Sequence, residues 1–377
     1  MITMLNFHKY YLNRQFVDVE FEDGDLNRIK NTIIEGNIKS FSLISSLQAN
    51  QIPTFTKDFL SKDITSHLMY LNLDKTENLQ IDSIISKAKR LSVLSLSDCK
   101  IDIAEVLESL SKSNNQSLRY INLSHNIFSR SCNQLNLSPY LERIDVKWYN
   151  STLTHFLNKI LNHKPTNGLR LYINRIQIDE NEWSDVFDTF KTITNYPLVE
   201  FSWNHNHISS ELFTYLQNNT QLIYLFMNSC FTYENEDLIN QFSQILPNLS
   251  NLTHLVIKGD NEGYRLEENA SIIVENIVKM SKIDYVDLSN NKLGQEGVIN
   301  LSNLITECPT ISNLVFDNSL IGSLDCINKL IEAGEKRKKP LTISWPENDI
   351  EELLSSSIIQ QAEIDEIKEK LLKLATG

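Results

Sequence analysis

The sequence predicts an α/β solenoid: strand–helix coils stacked into a horseshoe, with one parallel sheet on the concave face and helices on the convex face. Three observations predict it. An apolar ladder recurs about every 27 residues through most of the 377-residue chain. Within each rung, apolar and polar residues alternate with the period of a half-buried strand. Between rungs lie stretches whose apolar residues fall on one helical face.

Each rung places apolar residues at slots 1, 4, 6 and 11, with Asn or Cys at slot 9. The clearest is Ile283, Val286, Leu288, Asn291 and Leu293. Leu91, Leu94, Leu96, Cys99 and Ile101 form another, as do Leu118, Ile121, Leu123, Asn126 and Phe128. Leu198, Phe201, Trp203, Asn206 and Ile208 form a fourth. Weaker copies start at Leu222, which keeps Cys230, and at Ile311, where Ser319 replaces Asn. Rungs at Leu68, Leu141 and Leu252 keep only the strand half. Degenerate rungs read Leu171, Ile173, Ile178 and Leu341, Ile343, the latter pair in slots 4 and 6; a first faint one reads Ile38, Phe41, Leu43. From 38 to 338, eleven steps cover 300 residues.

Helices are expected at 102–113, 152–162, 182–192, 237–246, 269–280 and 323–333, with Ser209 and Ser323 as N-caps. A lone strand–helix coil cannot bury its apolar face, whereas stacked coils share a core. Strands stack at about 4.8 Å and helices need about 10 Å. The wider layer therefore lies outside, and the array bends.

The segment from Val286 to Val298, VDLSNNKLGQEGV, resembles the leucine-rich repeat of the ribonuclease-inhibitor type, a class that includes RanGAP, NOD-like receptor sensor domains and the CARMIL regulators. The resemblance covers residues 38–345. It implies helical return arms and a non-catalytic scaffold that binds a protein partner on its concave face. It also leaves open a GTPase activator similar to RanGAP and an actin regulator similar to CARMIL. The Asn-, Ile- and Lys-rich composition leaves open a host-directed bacterial effector.

Outside the ladder, residues 1–37 read as an N-terminal cap, with a strand in Phe16–Phe21 and a helix from Leu26 to Glu35. Residues 346–377 read as a C-terminal helical cap. Within them Ile364, Ile367, Leu371 and Leu374 fit an a/d pattern that also suits a dimer or a partner helix. The basic run 335–339 is read as an inter-repeat loop or an import signal.

A net charge of −13 argues against general binding of nucleic acid or acidic membranes, and no apolar run is long enough to span a bilayer. Five scattered cysteines without a CxxC suit reduced thiols in the cytoplasm. Walker A, GxGxxG, HExxH and GxSxG motifs are absent, so no catalytic residue, cofactor or metal is expected. His205-Asn206-His207 resembles a metal motif, but Asn206 is a ladder residue and no convergent ligand accompanies it.

Slots 3, 5 and 8 project from the sheet away from the core. The candidate binding residues there are Tyr120, His125, Arg143, Trp148, Tyr172, Arg175, His205, Tyr224 and Phe226. Aromatics with Arg are the usual composition of a binding hot spot. The same residues also suit a packing role, covering adjacent strands of the sheet.

Overall fold

The computed structural model describes residues 13–22, 24–87, 89–113, 115–129, 135–147 and 153–376. The chain forms two compact units that divide between Thr189 and Phe190. In the first, β1 (Asn13–Val17), β2 (Ser40–Ile44), β3 (Tyr70–Asn72), β4 (Val93–Ser95), β5 (Tyr120–Asn122), β6 (Arg143–Lys147) and β7 (Leu169–Asn174) pair in chain order, every pair parallel. In the second, β8 (Leu198–Ser202), β9 (Tyr224–Phe226), β10 (His254–Val256), β11 (Tyr285–Asp287), β12 (Asn313–Val315) and β13 (Thr342–Ile343) do the same. Parallel neighbours need a crossover, and helices supply most of them. Each unit is a leucine-rich-repeat array.

The register is the one the ladder dictates. Slot-4 residues stand side by side, as in Leu71↔Leu94↔Ile121↔Ile144↔Leu171 and Phe201↔Leu225↔Leu255↔Val286↔Leu314. Slots 1, 4 and 6 are buried in rung after rung, with Trp203, Phe201 and Leu288 fully enclosed. Return-arm helices include Ile103–Ser113, Leu153–Ile160, Glu180–Thr192, Glu236–Ile245, Ala270–Ile277 and Gly294–Glu307.

Slot 9 closes each coil. Asn126 Nδ2 reaches Leu96 O at 2.6 Å and Leu123 O at 3.1 Å, and its Oδ1 accepts from Cys99 N at 3.0 Å and Ile101 N at 3.3 Å. One amide thus satisfies backbone groups of two coils that water cannot reach. Asn291 does likewise, donating to Ile257 O at 2.6 Å and accepting from Leu266 N at 3.0 Å. Cysteine fills the slot as a thiol donor: Cys99 Sγ donates to Leu73 O and Cys230 Sγ to Trp203 O, each at 3.2 Å. Burial pushes both thiols up to about 12.

Slot 8 has a backbone signature that the residue types conceal. Asp18, Ser45, Lys75, Asp98, His125, Arg175, His205, Ser229, Asn290 and Asn318 all adopt φ between 50° and 62°. Left-handed backbone is uncommon for non-glycine residues. Here the N–H of slot 8 must reach the next coil, as Lys75 N does to Ser97 O at 2.8 Å and Asn290 N to Asp317 O at 2.8 Å. In the β10 coil slot 8 is Gly259, which reaches Ser289 O at 2.9 Å without left-handed backbone; an added Cβ there would collide with Asn290 O.

Four expectations need correcting. The N-terminal strand lies at Asn13–Val17 rather than 16–21, and it pairs with β2, Phe16 opposite Leu43. A ladder coil therefore precedes Ile38, and Asp18 carries its slot-8 turn. In the last coil Ile343 pairs with Leu314, so Ile343 occupies slot 4, not slot 6, and Trp345 takes slot 6. The shift follows from the helix Gln361–Thr376: Leu341 N donates to Leu374 O at 2.9 Å, and Lys368 Nζ lies 4.7 Å from the Trp345 ring. Ser323 does not cap the helix Asp325–Glu335; its hydroxyl accepts from Gln295 instead, whereas Ser209 accepts from Leu212 N at 3.3 Å as expected. Ile178 is only half-buried, and Ile176 at slot 9 turns inward in its place.

The a/d residues Ile364, Ile367 and Leu371 are buried within their own unit, while Leu372 is 65% exposed. Ahead of them Asp349 turns both carboxylate oxygens inward, accepting from Ser319 N at 2.8 Å and Leu320 N at 2.7 Å. It closes the last rung as slot-9 asparagines close others. In the basic run, Arg337 is a clamp: its guanidinium donates to Ile305 O at 2.8 Å and Cys308 O at 3.0 Å, at the end of the helix Gly294–Glu307.

Candidate functional site

Residues at slots 3 and 5 alternate with the core residues of slots 4 and 6, so strand period alone sends them to the opposite face. Among those predicted, Tyr120, Arg143 and Tyr172 are half-buried in the first unit, and Tyr224 and Phe226 are half-buried in the second. His125 and Arg175 are exposed on left-handed slot-8 turns, and His205 is half-buried on another. Trp148 lies outside the described residues.

In the first unit the structure brings three of these residues together around a fourth that sequence reasoning did not single out. Register sets Arg143 directly opposite Tyr120 and Arg170, and Asp145 opposite Asn122 and Tyr172. The Arg143 guanidinium lies between two rings, 4.6 Å from the Tyr120 centroid and 4.2 Å from that of Tyr172. It donates to Asp145 through Nε at 2.9 Å and Nη2 at 3.0 Å, and Tyr120 Oη donates to the same carboxylate at 2.9 Å. Asp145 is 5% exposed. A buried carboxylate needs this much compensation. Burial weakens the charged form of Arg143, but the Asp145 bonds outweigh it and hold the guanidinium above its ordinary range. Burial first, and then Asp145, hold the Tyr120 hydroxyl above the usual tyrosine range. The signal for Asp145 was present in the sequence: Arg-x-Asp in one strand puts both side chains on one face.

The second unit carries a different surface. Tyr224, His254 and Tyr285, one slot-3 residue from each of β9, β10 and β11, lie ring against ring in a row: Tyr224 and His254 are 4.6 Å apart and tilted by 43°, His254 and Tyr285 5.5 Å apart and stacked. His254 Nδ1 hydrogen-bonds Thr253 Oγ1 at 2.8 Å, which fixes the ring. Below the row, Asp287 is 1% exposed and pairs with Lys258 Nζ at 2.8 Å. It also accepts from Ser289 N at 3.0 Å and lies 3.5 Å from Tyr285 Oη. His254, Tyr285 and Asp287 were legible as inward-facing slots but not as a connected group.

Both arrangements set a buried aspartate beside a cation and a tyrosine hydroxyl. Their carboxylates are neutralised, and their tyrosines are shifted towards the protonated form. Among the described residues, no group of three or more His, Cys, Asp or Glu could hold a metal ion. Among the same residues, no helix is long and apolar enough to cross a membrane.

No family model matches the chain, and no curated protein matches it. Solved structures do. One is the leucine-rich-repeat-containing protein LegL7 from Legionella pneumophila, 17% identical with a TM-score of 0.43 over 72% of this chain and 80% of that one. Another is TLR13 in a complex with ssRNA13, 12% identical with a TM-score of 0.42 over 83% of this chain and 40% of that one.

Proposed function

We propose that the chain is a non-catalytic scaffold that captures a protein partner on the strand face of its repeats. The observation that carries this reading is the pair of half-exposed aromatic groups, Tyr120–Arg143–Tyr172 and Tyr224–His254–Tyr285. Both are fixed by hydrogen bonds or stacking before any partner arrives. Ordering of side chains is a main cost of association, and rigid aromatic surfaces lower it. Helical return arms of 8–14 residues support the ribonuclease-inhibitor type of repeat. The buried, unpaired thiols of Cys99, Cys230, Cys308 and Cys326 support a reducing, cytoplasmic setting.

The test is affinity capture from the native cell with the full chain and with a Tyr172→Ala, Tyr224→Ala, Phe226→Ala variant. The reading expects a partner that the variant loses while its circular dichroism stays native. Retention of that partner by the folded variant would remove the strand face as the site.

A further inference from the structure

We infer that the first unit docks on an anionic lipid surface through the edge at which its strands begin, a site separate from the strand face. Parallel strands of one sheet all begin on the same edge. Slot 2, the residue before each strand, forms a hydrogen-bonded row there. Lys39 O accepts from Met69 N, Met69 O from Ser92 N, Ser92 O from Arg119 N and Arg119 O from Glu142 N, each at 2.8 Å.

The acidity of the chain, net −13, is not spread evenly over this unit. The described residues of the loops that lead into β2 to β7 carry Lys39, Lys89, Arg90, Arg119 and Lys164 against Glu142: five cations and one carboxylate. The described residues of the loops that follow β1 to β5 and β7 carry eight carboxylates against three cations. Lys39, Lys89 and Lys164 are exposed, and none of the three forms an ion pair among the described residues. Arg90 and Arg119 each turn one nitrogen to a neutral carbonyl of the same edge, Ser66 O at 2.7 Å and Tyr140 O at 3.3 Å, so their charge is kept. Glu142 accepts from Asn167 Nδ2 at 2.6 Å.

Cations beyond a helix C-terminus offset the helix dipole. That does not account for the apolar side chains set among them. Met69, between Lys39 and Ser92 in the row, is 46% exposed. Tyr140 is 38% exposed, and its ring lies 4.3 Å from the Arg119 guanidinium. Lysine and arginine around an exposed thioether and tyrosine ring suit a headgroup layer: the cations meet anionic lipid, and the apolar groups reach the acyl boundary. Five strand steps of about 4.8 Å carry the row roughly 24 Å along the unit, a length that meets many separate headgroups.

Net acidity does not oppose this. Slots 2 and 8 are about 20 Å apart along a coil, more than twice the screening length of about 8 Å at physiological salt. The carboxylates of the far edge are therefore screened from a membrane that touches the near edge, and they orient the unit with its basic edge towards it.

The test is cosedimentation of the full chain with vesicles of phosphatidylcholine alone and of phosphatidylcholine mixed with phosphatidylserine. Binding is expected to the mixed vesicles only, and to weaken as salt rises. Lys39→Glu, Lys89→Glu and Lys164→Glu together should lower the partition coefficient by about tenfold or more. Lys39→Gln, Lys89→Gln and Lys164→Gln, a milder set that preserves the fold if the reversal does not, should lower it by a smaller factor. Lys75→Glu makes the same charge change on the opposite edge and should leave it unchanged. Equal binding to both vesicle types, binding to neither, or unchanged binding by the folded triple variants would overturn the assignment. So would a loss from Lys75→Glu as large as from Lys89→Glu alone. If polyglutamate or a duplex oligonucleotide at equal charge strips the chain from the vesicles, the row belongs to an acidic protein or a nucleic acid instead. Capture of a partner by the strand face is a separate measurement and stands or falls apart from all of these.

Discussion

The strand faces of the two units meet one requirement in two ways. Each buries an aspartate at slot 5, Asp145 or Asp287, and each sets a cation and a tyrosine hydroxyl beside it. In the first unit the cation is a planar guanidinium two residues away on the same strand, held by two bonds and covered by a ring on each side. In the second it is an ammonium from the neighbouring coil, with one contact and 42% exposure. The slot-3 column differs accordingly. Arginine in that column draws the aromatics onto itself, whereas without arginine they pack against one another as Tyr224, His254 and Tyr285. Arginine beside tyrosine is therefore not one kind of surface. In the first unit much of its contact energy is already used inside the fold.

The comparison breaks most readily at Arg143. Arg143→Ala leaves Asp145 without its cation and removes two ring contacts. Allowing for partial exposure, it should cost about 2–3 kcal/mol in urea unfolding of the full chain. Arg143→Lys should recover less than half of that, because an ammonium cannot make the planar double contact. Tyr120→Phe keeps the ring and loses one hydrogen bond to a charged group, an effect of about 1–2 kcal/mol. Lys258→Ala should cost under about 1 kcal/mol and lose even this at high salt. If Lys258→Ala proves as damaging as Arg143→Ala, the two aspartates are equivalent and the contrast is wrong.

Two milder measurements sharpen the contrast. Tyr120 and Tyr285 are both held above the ordinary tyrosine range by burial and then by their aspartates. A folded value above the unfolded one means full stabilisation below about pH 10, lost as pH rises through the folded value. Melting temperature should therefore fall on the alkaline side, and Tyr120→Phe should flatten that fall more than Tyr285→Phe. Cys99 and Cys230 occupy the same slot in different units, and burial pushes both up to about 12. Their reaction with a thiol reagent at pH 8 should be slow until denaturant is added, and equally so in both units.

Most of the fold was legible because the buried slots are apolar and a strand repeats every two residues, so Leu94 and Leu96 or Val286 and Leu288 admit one assignment. The last coil was not, because Leu341 and Ile343 are two apart and fit either of two registers. Only the cap helix, through Leu374 and Lys368, selects between them. The first residues of the strand Asn13–Val17 escaped because Asn13, Arg14 and Gln15, ahead of Phe16, are all polar. The site was legible as slots and illegible as contacts: spacing places Tyr120, Arg143 and Tyr172 on one face, but their stacking depends on the alignment of coils of unequal length. The slot-8 conformation left only a weak trace in residue type: Asp, Asn and His fill six of its ten left-handed positions and no β-branched residue adopts it, but Ser, Lys and Arg do so too.

That tolerance has a use. Unbranched L-residues bear a conformational penalty of about 1–2 kcal/mol at such a turn, less for Asn and Asp and more for β-branched residues, so swapping one exposed, unbranched polar side chain for another there changes the array's folding energy little. The exposed members of the row, Lys75, His125 and Arg175 among them, form a keyboard along which recognition chemistry can be rewritten one coil at a time while the scaffold beneath stays as it is.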